Sequence, residues 1–148
     1  MLNKRQLIDN DQVDGVLREK ALLSTMNHPF ILPCRGSFQD EAHLYLLLAL
    51  MQGGELFNVI HAPKSKRRGI SNGDAVFYAA CTISALAHMH QRLIAYRDLK
   101  PENILIDADG YAVIVDLGFA KVVGNKTYTL WYGISRAYYS MHGDVFFA

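Results

Sequence analysis

Apolar side chains recur at helical spacing in two long stretches of the chain. The first follows a polar residue that can cap a helix, Asp9, Asn10 or Asp11, and ends before Asn27-His28-Pro29. Its apolar positions are Val13, Val16, Leu17, Ala21 and Leu22 or Leu23. Because steps of three and four residues place side chains on one helix face, the pattern predicts an amphipathic helix.

The second stretch begins at Ser71, which forms a capping-box pattern with Asp74. Helical spacing then continues to about Gln91. The positions predicted to face the core are Val76, Ala79, Ala80, Ile83, Leu86, Ala87 and His90. A shorter helix is predicted from Glu55 to His61, ended by Pro63.

Between these helices the pattern changes to short apolar runs. The runs 30–38 and 44–51 flank a polar turn and predict two strands, the second apolar on both faces and therefore covered on both sides. The runs 104–107 and 111–115, joined by Ala108-Asp109-Gly110, predict a β-hairpin. Helices and hairpins in this order indicate an α+β fold.

Composition excludes several classes of protein. The chain has 148 residues, 51% of them hydrophobic, with 15 basic and 14 acidic side chains, so disorder is excluded and neither nucleic acid nor a membrane is an expected partner. The longest apolar run, 44–51, is too short to cross a bilayer. Two reduced cysteines, Cys34 and Cys81, are typical of a cytoplasmic protein, with the nucleus as the alternative location. The basic residues at 64–68 form either a solvated loop or an import signal.

The candidate chemistry lies beside the predicted hairpin. Tyr96-Arg97-Asp98-Leu99-Lys100-Pro101-Glu102-Asn103 leads into it, and Asp116-Leu117-Gly118 leaves it. Two carboxylates, an amide oxygen and an ammonium group are thereby concentrated, a set that suits Mg²⁺ and a transferring phosphoryl group. The alternative is a charged polar turn without function.

This joint pattern resembles the signature of the eukaryotic protein kinases. The resemblance implies that Asp98 is the catalytic base and that Asn103 and Asp116 hold Mg²⁺. It also implies that Lys100 contacts the γ-phosphate of ATP, which marks serine/threonine specificity.

Two regulatory residues follow from the same resemblance. Arg97 is expected to hold a phosphorylated residue of the activation segment, and Thr129 is the candidate for that residue. The alternative for Thr129 is an ordinary exposed threonine.

Further segments resemble the AGC group, in particular the cyclic-nucleotide-dependent kinases. These segments are Tyr96 to Asn103, Gly118-Phe119-Ala120-Lys121, His28-Pro29-Phe30-Ile31 and Gly53-Gly54-Glu55-Leu56-Phe57. The resemblance implies a helix glutamate at Glu19, a gatekeeper at Leu48, a hinge from Ala49 to Met51 and a ribose or basic-substrate contact at Glu55. The residues it implies for cofactor binding are Glu19, Leu48, Ala49, Met51, Glu55, Glu102, Asn103 and Asp116.

The resemblance divides the chain into a partial N-lobe (1–51), a partial C-lobe (52–130) and a divergent tail (131–148). Neither the glycine-rich loop over the ATP phosphates nor the lysine expected to pair with Glu19 has a counterpart, since both would precede Met1. Leu117 replaces the usual Phe of Asp-Phe-Gly and is expected to serve as an equivalent apolar anchor.

The resemblance implies a serine/threonine protein kinase domain that uses ATP and Mg²⁺, with impaired transfer in this chain. Its expected partners are protein substrates with basic residues near Ser or Thr, and a regulatory cyclic-nucleotide-binding domain or subunit. Two alternatives stay open: an inactive, pseudokinase-like interaction module, or an incomplete gene model of a full kinase.

Overall fold

The computed structural model describes residues 1–61 and 69–123, which contain four helices and eight short strands. The helices are α1 (Lys4–Asp9), α2 (Val13–Thr25), α3 (Leu56–Ile60) and α4 (Asn72–His90). The strands are β1 (Leu2–Asn3), β2 (Cys34–Gln39), β3 (His43–Leu48), β4 (Gly54–Glu55), β5 (Ile94–Ala95), β6 (Ile104–Ile106), β7 (Ala112–Ile114) and β8 (Lys121–Val122). The α+β class is confirmed. Predictions for Pro63, for the basic residues at 64–68, for Thr129 and for the tail 131–148 lie outside the described residues.

The first sheet has the order β1-β3-β2. Its hairpin turns at Asp40, whose carboxylate accepts the backbone N–H groups of Ala42 and His43, so the predicted turn is confirmed. The prediction that the second strand is covered on both sides is wrong for the described residues. Leu47 is 57% and Leu48 39% exposed, so the end of β3 is not covered by the described residues.

Helix α2 is confirmed, but its predicted cap is wrong. Gln12 is the N-cap and makes no side-chain cap hydrogen bond, because Asp9 belongs to α1 and Asp11 occupies the left-handed region with φ 53°. Strand β1 and helix α1 were not predicted, since β1 is defined by pairing with residues about forty positions away.

Only the C-terminal half of α2 reaches the core. Leu22 and Leu23 are buried, whereas Val13 and Leu17 are exposed, contrary to the predicted face. The exposed half lines a groove of about 300 Å³ between α1, α2 and the first sheet, so its apolar side chains are not covered by the described residues.

Helix α4 confirms the capping box but not the predicted core face. The Ser71 hydroxyl accepts the backbone N–H of Asp74 (3.1 Å) and donates to the Asp74 carboxylate (2.7 Å). Val76 is 71% exposed and Ile83 50% exposed, and of the predicted face only Leu86 is buried. The buried residues are Cys81, Thr82, Ala85, Leu86 and Met89. The helix carries apolar residues on more than one side, so contact with β5 and β7 selects the buried face.

The predicted hairpin β6–β7 is confirmed, with Gly110 in its turn at φ 89°, a conformation that favours glycine. Strand β4 extends it to the order β4-β6-β7, and β5 pairs with β8. One core cluster joins the hairpin to α2 and α4. The lobe boundaries at 51 and 130 stay a prediction. No helix in the described ranges is long and apolar enough to span a membrane.

Candidate active site

The loop between β5 and β6 ends in a single 3₁₀ turn, Pro101–Asn103. Proline suits the first position of such a turn because its φ is preset and its missing N–H would have no partner there. The Asn103 N–H donates to the Lys100 carbonyl (3.0 Å), which closes the turn. The turn therefore brings the side chain of Asn103 back toward Asp98.

A hydrogen-bond network surrounds Asp98. Lys100 Nζ donates to Asp98 Oδ2 (2.7 Å), and Asn103 Nδ2 donates to the same oxygen (2.8 Å) and to the Asp98 carbonyl (3.1 Å). The Asp98 side chain is 16% exposed, so these donors orient a largely buried carboxylate. Within the described residues Asp98 Oδ1 accepts no hydrogen bond, which leaves one oxygen available as an acceptor.

The charge of Lys100 is maintained by its neighbours. Its hydrogen bond to Asp98 raises the pKa of the ammonium group, and the carboxylates of Asp98, Glu102 and Asp116 act in the same direction against a smaller opposing effect of burial. Lys100 is therefore a cation at neutral pH and is suited to contact an anionic group.

Asp116 is positioned by the backbone of the loop. The Val115 N–H donates to the Asn103 carbonyl (3.0 Å), which places Asp116 next to Asn103. Asp116 has φ 58°, and its Oδ1 accepts the Gly118 N–H at 3.0 Å. A Cβ at Gly118 would also lie 3.0 Å from that oxygen, so glycine permits the close approach.

The donor set of Asn103 and Asp116 fits Mg²⁺. Asn103 Nδ2 donates to Asp98, and Asp116 Oδ1 accepts the Gly118 N–H. Each of the two side chains therefore keeps one oxygen that accepts no hydrogen bond from the described residues. No group of three or more His, Cys, Asp or Glu side chains in the described part is arranged to hold a metal ion. Mg²⁺ needs only one or two protein carboxylates when phosphate oxygens complete its coordination shell. The amide oxygen of Asn103 and the carboxylate of Asp116 are therefore suitable kinds of ligand.

Tyr96 holds the loop and the Asp116 segment together, a role that the sequence did not reveal. Its hydroxyl donates to the Val115 carbonyl (2.6 Å), and the residue is 2% exposed. Burial, followed by the carboxylates of Asp116 and Asp98, raises the pKa of this phenol far above its usual range, against a smaller effect of Asn103. The hydroxyl therefore stays protonated and remains a donor.

The comparisons with known proteins now decide the family. Residues 1–141 match the family described as "Protein kinase domain". The chain belongs to the protein kinase family. The predicted resemblance and the partial kinase fold are thus confirmed.

Curated protein kinases place the chain near the cyclic-nucleotide-dependent enzymes. It is 47% identical over 129 residues to the cAMP-dependent protein kinase catalytic subunit of Dictyostelium discoideum, covering 87% of this chain and 19% of that protein. It is 43% identical to the cAMP-dependent protein kinase type 3 of Saccharomyces cerevisiae, covering 87% and 31%. It is 37% identical to the cGMP-dependent protein kinase of Plasmodium berghei, covering 87% and 15%. The chain therefore spans less than a third of the length of each.

In this kinase domain, Glu19 lies beside the Asp116 segment without a cation. The pKa of its carboxyl is raised, first by burial and then by the charge of Asp116, while the Leu117 N–H partly opposes this. Among the described residues no lysine or arginine forms an ion pair with Glu19. Lys4, the nearest lysine ahead of α2, donates instead to the Asp40 carbonyl (2.6 Å) at the hairpin turn.

Arg97 also occupies the left-handed region, with φ 69°. Its Nε donates to the Phe119 carbonyl (2.8 Å), so the guanidinium lies next to the start of the activation segment. Binding of a phosphorylated residue by Arg97 stays a prediction, because Thr129 lies outside the described residues.

The residues expected to contact the nucleotide are distributed over several elements, among them α2, β3, β4 and the 3₁₀ turn. Leu48 pairs with Cys34 at the end of β3, and the Ala49 N–H donates to the Pro33 carbonyl (3.1 Å). Glu55 pairs with Leu105, so β4 is joined to the strand that follows Asn103.

In the described part, no hydrogen bond joins Ala49 or Met51 to the loop 96–103. Glu102 is exposed in the 3₁₀ turn. The nucleotide-binding roles of these residues therefore stay predictions.

Leu117 behaves as the apolar anchor that the sequence predicts. It is 1% exposed and belongs to the core cluster with Leu23 and Ile114. Leucine in place of phenylalanine thus keeps the segment after Asp116 fixed to the core.

Proposed function

We propose that this chain carries the part of a serine/threonine protein kinase site that activates the substrate hydroxyl and holds Mg²⁺. The observation that supports the proposal is the Asp98 carboxylate, in which one oxygen accepts hydrogen bonds from Lys100 and Asn103 while the other accepts none from the described residues. Loss of both donors would leave Asp98 free to rotate, so the network orients the base.

The reaction would transfer the γ-phosphoryl group of ATP to a Ser or Thr hydroxyl. The bond from the hydroxyl oxygen to phosphorus forms, the bond from phosphorus to the leaving oxygen of ADP breaks, and Asp98 accepts the hydroxyl proton. Lys100 would contact the γ-phosphate as a cation. Asn103 and Asp116 would hold Mg²⁺, which when bound neutralises charge on the phosphate oxygens.

We further propose that transfer by this chain alone is slow. Glu19 has no cation partner among the described residues, so the lysine that should contact the phosphates is missing from this arrangement. One charge-assisted hydrogen bond to phosphate contributes about 1.5–3 kcal/mol, which corresponds to a loss of about tenfold or more in rate.

The experiment compares phosphorylation of peptides with Ser, Thr or Tyr in a basic context, and of a Ser peptide with neutral flanks. We expect the purified chain with Mg·ATP to modify the basic Ser and Thr peptides below the family range of about 1–100 s⁻¹. Asp98→Asn should lower that rate by about 100-fold or more, because general-base catalysis contributes on this scale. Asp109→Asn, the same substitution in the exposed hairpin turn, is the control and should have no effect.

Each part of the proposal can fail separately. Turnover within the family range would contradict impairment, and equal modification of the Tyr peptide would contradict the specificity. An unchanged rate in Asp98→Asn would contradict the assignment of the base.

A catalytically inactive, pseudokinase-like interaction module is the second candidate, and the observation that favours it is that Glu19 has no cation partner among the described residues. A ligand of the folded state raises the melting temperature, so such a module should show neither a rise with Mg·ATP nor peptide phosphorylation. Phosphorylation that depends on Asp98 would exclude it.

Regulation by a cyclic-nucleotide-binding domain or subunit is also proposed, supported by relatives that are named cAMP-dependent and cGMP-dependent kinases. Addition of the regulatory subunit of a cAMP-dependent kinase should inhibit peptide phosphorylation, and cAMP should relieve the inhibition. No inhibition at saturating subunit would contradict it.

A further inference from the structure

Two histidines meet where the segment 27–33, which follows α2, contacts α4. The ring centroids of His28 and His88 are 4.8 Å apart with the planes inclined at 44°. Ser84 on α4 completes the contact, with its Oγ 3.2 Å from His28 Nε2. The two rings therefore form part of the junction itself.

Hydrogen bonding defines the neutral form of His28. The Phe30 N–H donates to His28 Nδ1 (3.2 Å), so this nitrogen is an acceptor and the ring proton resides on Nε2, facing the Ser84 hydroxyl. Protonation of Nδ1 would replace the acceptor by a donor and direct it at the Phe30 N–H. The contact inside the segment would then be lost.

His88 has a different reason to stay neutral. Its Nε2 is buried and has no hydrogen-bond partner among the described residues. In the charged, doubly protonated ring this nitrogen must carry a proton, and neither water nor an acceptor from the described residues is available to it, which is unfavourable.

The charged group next to both rings is a cation. Arg92, one helical turn after His88, donates from Nη1 to the His88 carbonyl (2.9 Å). On the opposite side Phe30 stacks on Tyr111 of the hairpin turn (5.7 Å), and both are neutral. Neither histidine forms an ion pair with a carboxylate among the described residues.

The surroundings lower the pKa of both histidines. Burial is the main cause for each, followed for His28 by His88 and Arg92 and for His88 by Arg92. The unfolded chain therefore binds these protons at a higher pH than the folded chain does.

The junction continues directly to the candidate active site. The Leu32 N–H donates to the Ile114 carbonyl (2.9 Å), and the Ile114 N–H donates to the Phe30 carbonyl (2.9 Å). Ile31 forms a parallel bridge with the same residue. Because Asp116 follows Ile114 by two residues, the segment that contains His28 also supports the strand that positions Asp116.

We propose that His28 and His88 form a pH-sensitive joint between the segment 27–33 and α4, which is closed when both rings are neutral and loosened when either is protonated. At a pH well above 6.5, the pKa of histidine in the unfolded chain, both rings are neutral in the folded and in the unfolded state, so stability does not change with pH. Below it the unfolded state takes up protons that the folded state does not, so stability falls with falling pH.

The decisive experiment is an NMR titration of the unmodified 148-residue chain, which needs no variant. The ring protons of His28 and His88 should titrate below the ordinary histidine value of 6.5. The Phe30 amide should shift with the same midpoint as His28. Midpoints at or above 6.5, or a Phe30 amide that does not respond, would overturn the proposal.

A second experiment compares melting temperatures at about pH 7.5 and about pH 5.5, on either side of the ordinary histidine range. The melting temperature of the unmodified chain should fall by several degrees on acidification. A change of about 1 kcal/mol in the free energy of unfolding shifts the melting temperature of a chain of this length by that much. His28→Gln and His88→Gln should each reduce this loss, whereas His61→Gln should not. An equal loss in all four proteins would contradict the joint.

Discussion

The loop from Tyr96 to Asn103 and the region around Glu19 both lie next to the Asp116 segment but differ in how far their polar groups are paired. In the loop, every polar side chain that orients Asp98 has a partner within a few residues. Near Glu19, no cation forms an ion pair with its carboxylate among the described residues. Local contacts therefore preorganise the proposed base and metal ligands, whereas Glu19 has no described partner of opposite charge.

The largest expected effect comes from breaking the loop at Asn103. Asn103→Ala should lower the free energy of unfolding by about 2–3 kcal/mol, because it removes the donor to a largely buried carboxylate and to the Asp98 carbonyl. Chemical denaturation measures this value. Asn58→Ala on the exposed face of α3 is the control, and a loss in Asn103→Ala no larger than in that control would contradict the role of the network.

A smaller effect is expected at Tyr96. Tyr96→Phe should lower the free energy of unfolding by about 1–2 kcal/mol, since the Val115 carbonyl loses its donor. Tyr45→Phe is the control, because it removes a phenol hydrogen bond to Asp40 (2.9 Å) at an exposed site. Equal losses in the free energy of unfolding for the two variants would contradict the expectation that the buried hydrogen bond of Tyr96 contributes more than the exposed one of Tyr45.

Substitution of Glu19 should have the smallest effect on stability, and it should stabilise the folded chain rather than destabilise it. The pKa of the Glu19 carboxyl is raised, so the folded state keeps this proton to a higher pH than the unfolded state, in which the pKa is 4.5. The stabilisation is complete below that value and is lost as pH rises through the folded-state pKa.

Glu19→Gln should therefore raise the melting temperature near pH 7 relative to the unmodified chain. The gain should shrink below about pH 4.5. Glu41→Gln, at an exposed position, should show neither change. A lower melting temperature of Glu19→Gln at pH 7 would mean that the charged carboxylate has a stabilising partner.

The sequence alone predicts an element correctly wherever the contact that defines this element is local. Ser71 and Asp74 define the start of α4 within four residues, and Gly110 defines the hairpin turn. The motif at 96–103 also predicts a site, because its ligands follow one another along a single loop. The contact between Asp98 and Asn103 spans only five positions.

The sequence alone does not predict features that depend on contacts with distant segments of the chain. Val76 and Ile83 have the right helical spacing yet are exposed, since the packing partners of α4 select another face. Strand β1 exists only through pairing with Leu44, and the hydrogen bond from Tyr96 to Val115 spans 19 positions. None of these long-range contacts is encoded in a local pattern.

Binding of Mg·ATP to the unmodified chain, Asp116→Asn and Asp109→Asn, measured as a melting-temperature shift, tests most directly whether this loop forms a metal-nucleotide site. Ligand at about 100 times its Kd stabilises a folded protein by about 2.7 kcal/mol, a shift of several degrees here. We predict this rise, dependent on Mg²⁺, in the unmodified chain and in Asp109→Asn, and its loss in Asp116→Asn. An undiminished rise in Asp116→Asn, or no rise in the unmodified chain, would contradict the site.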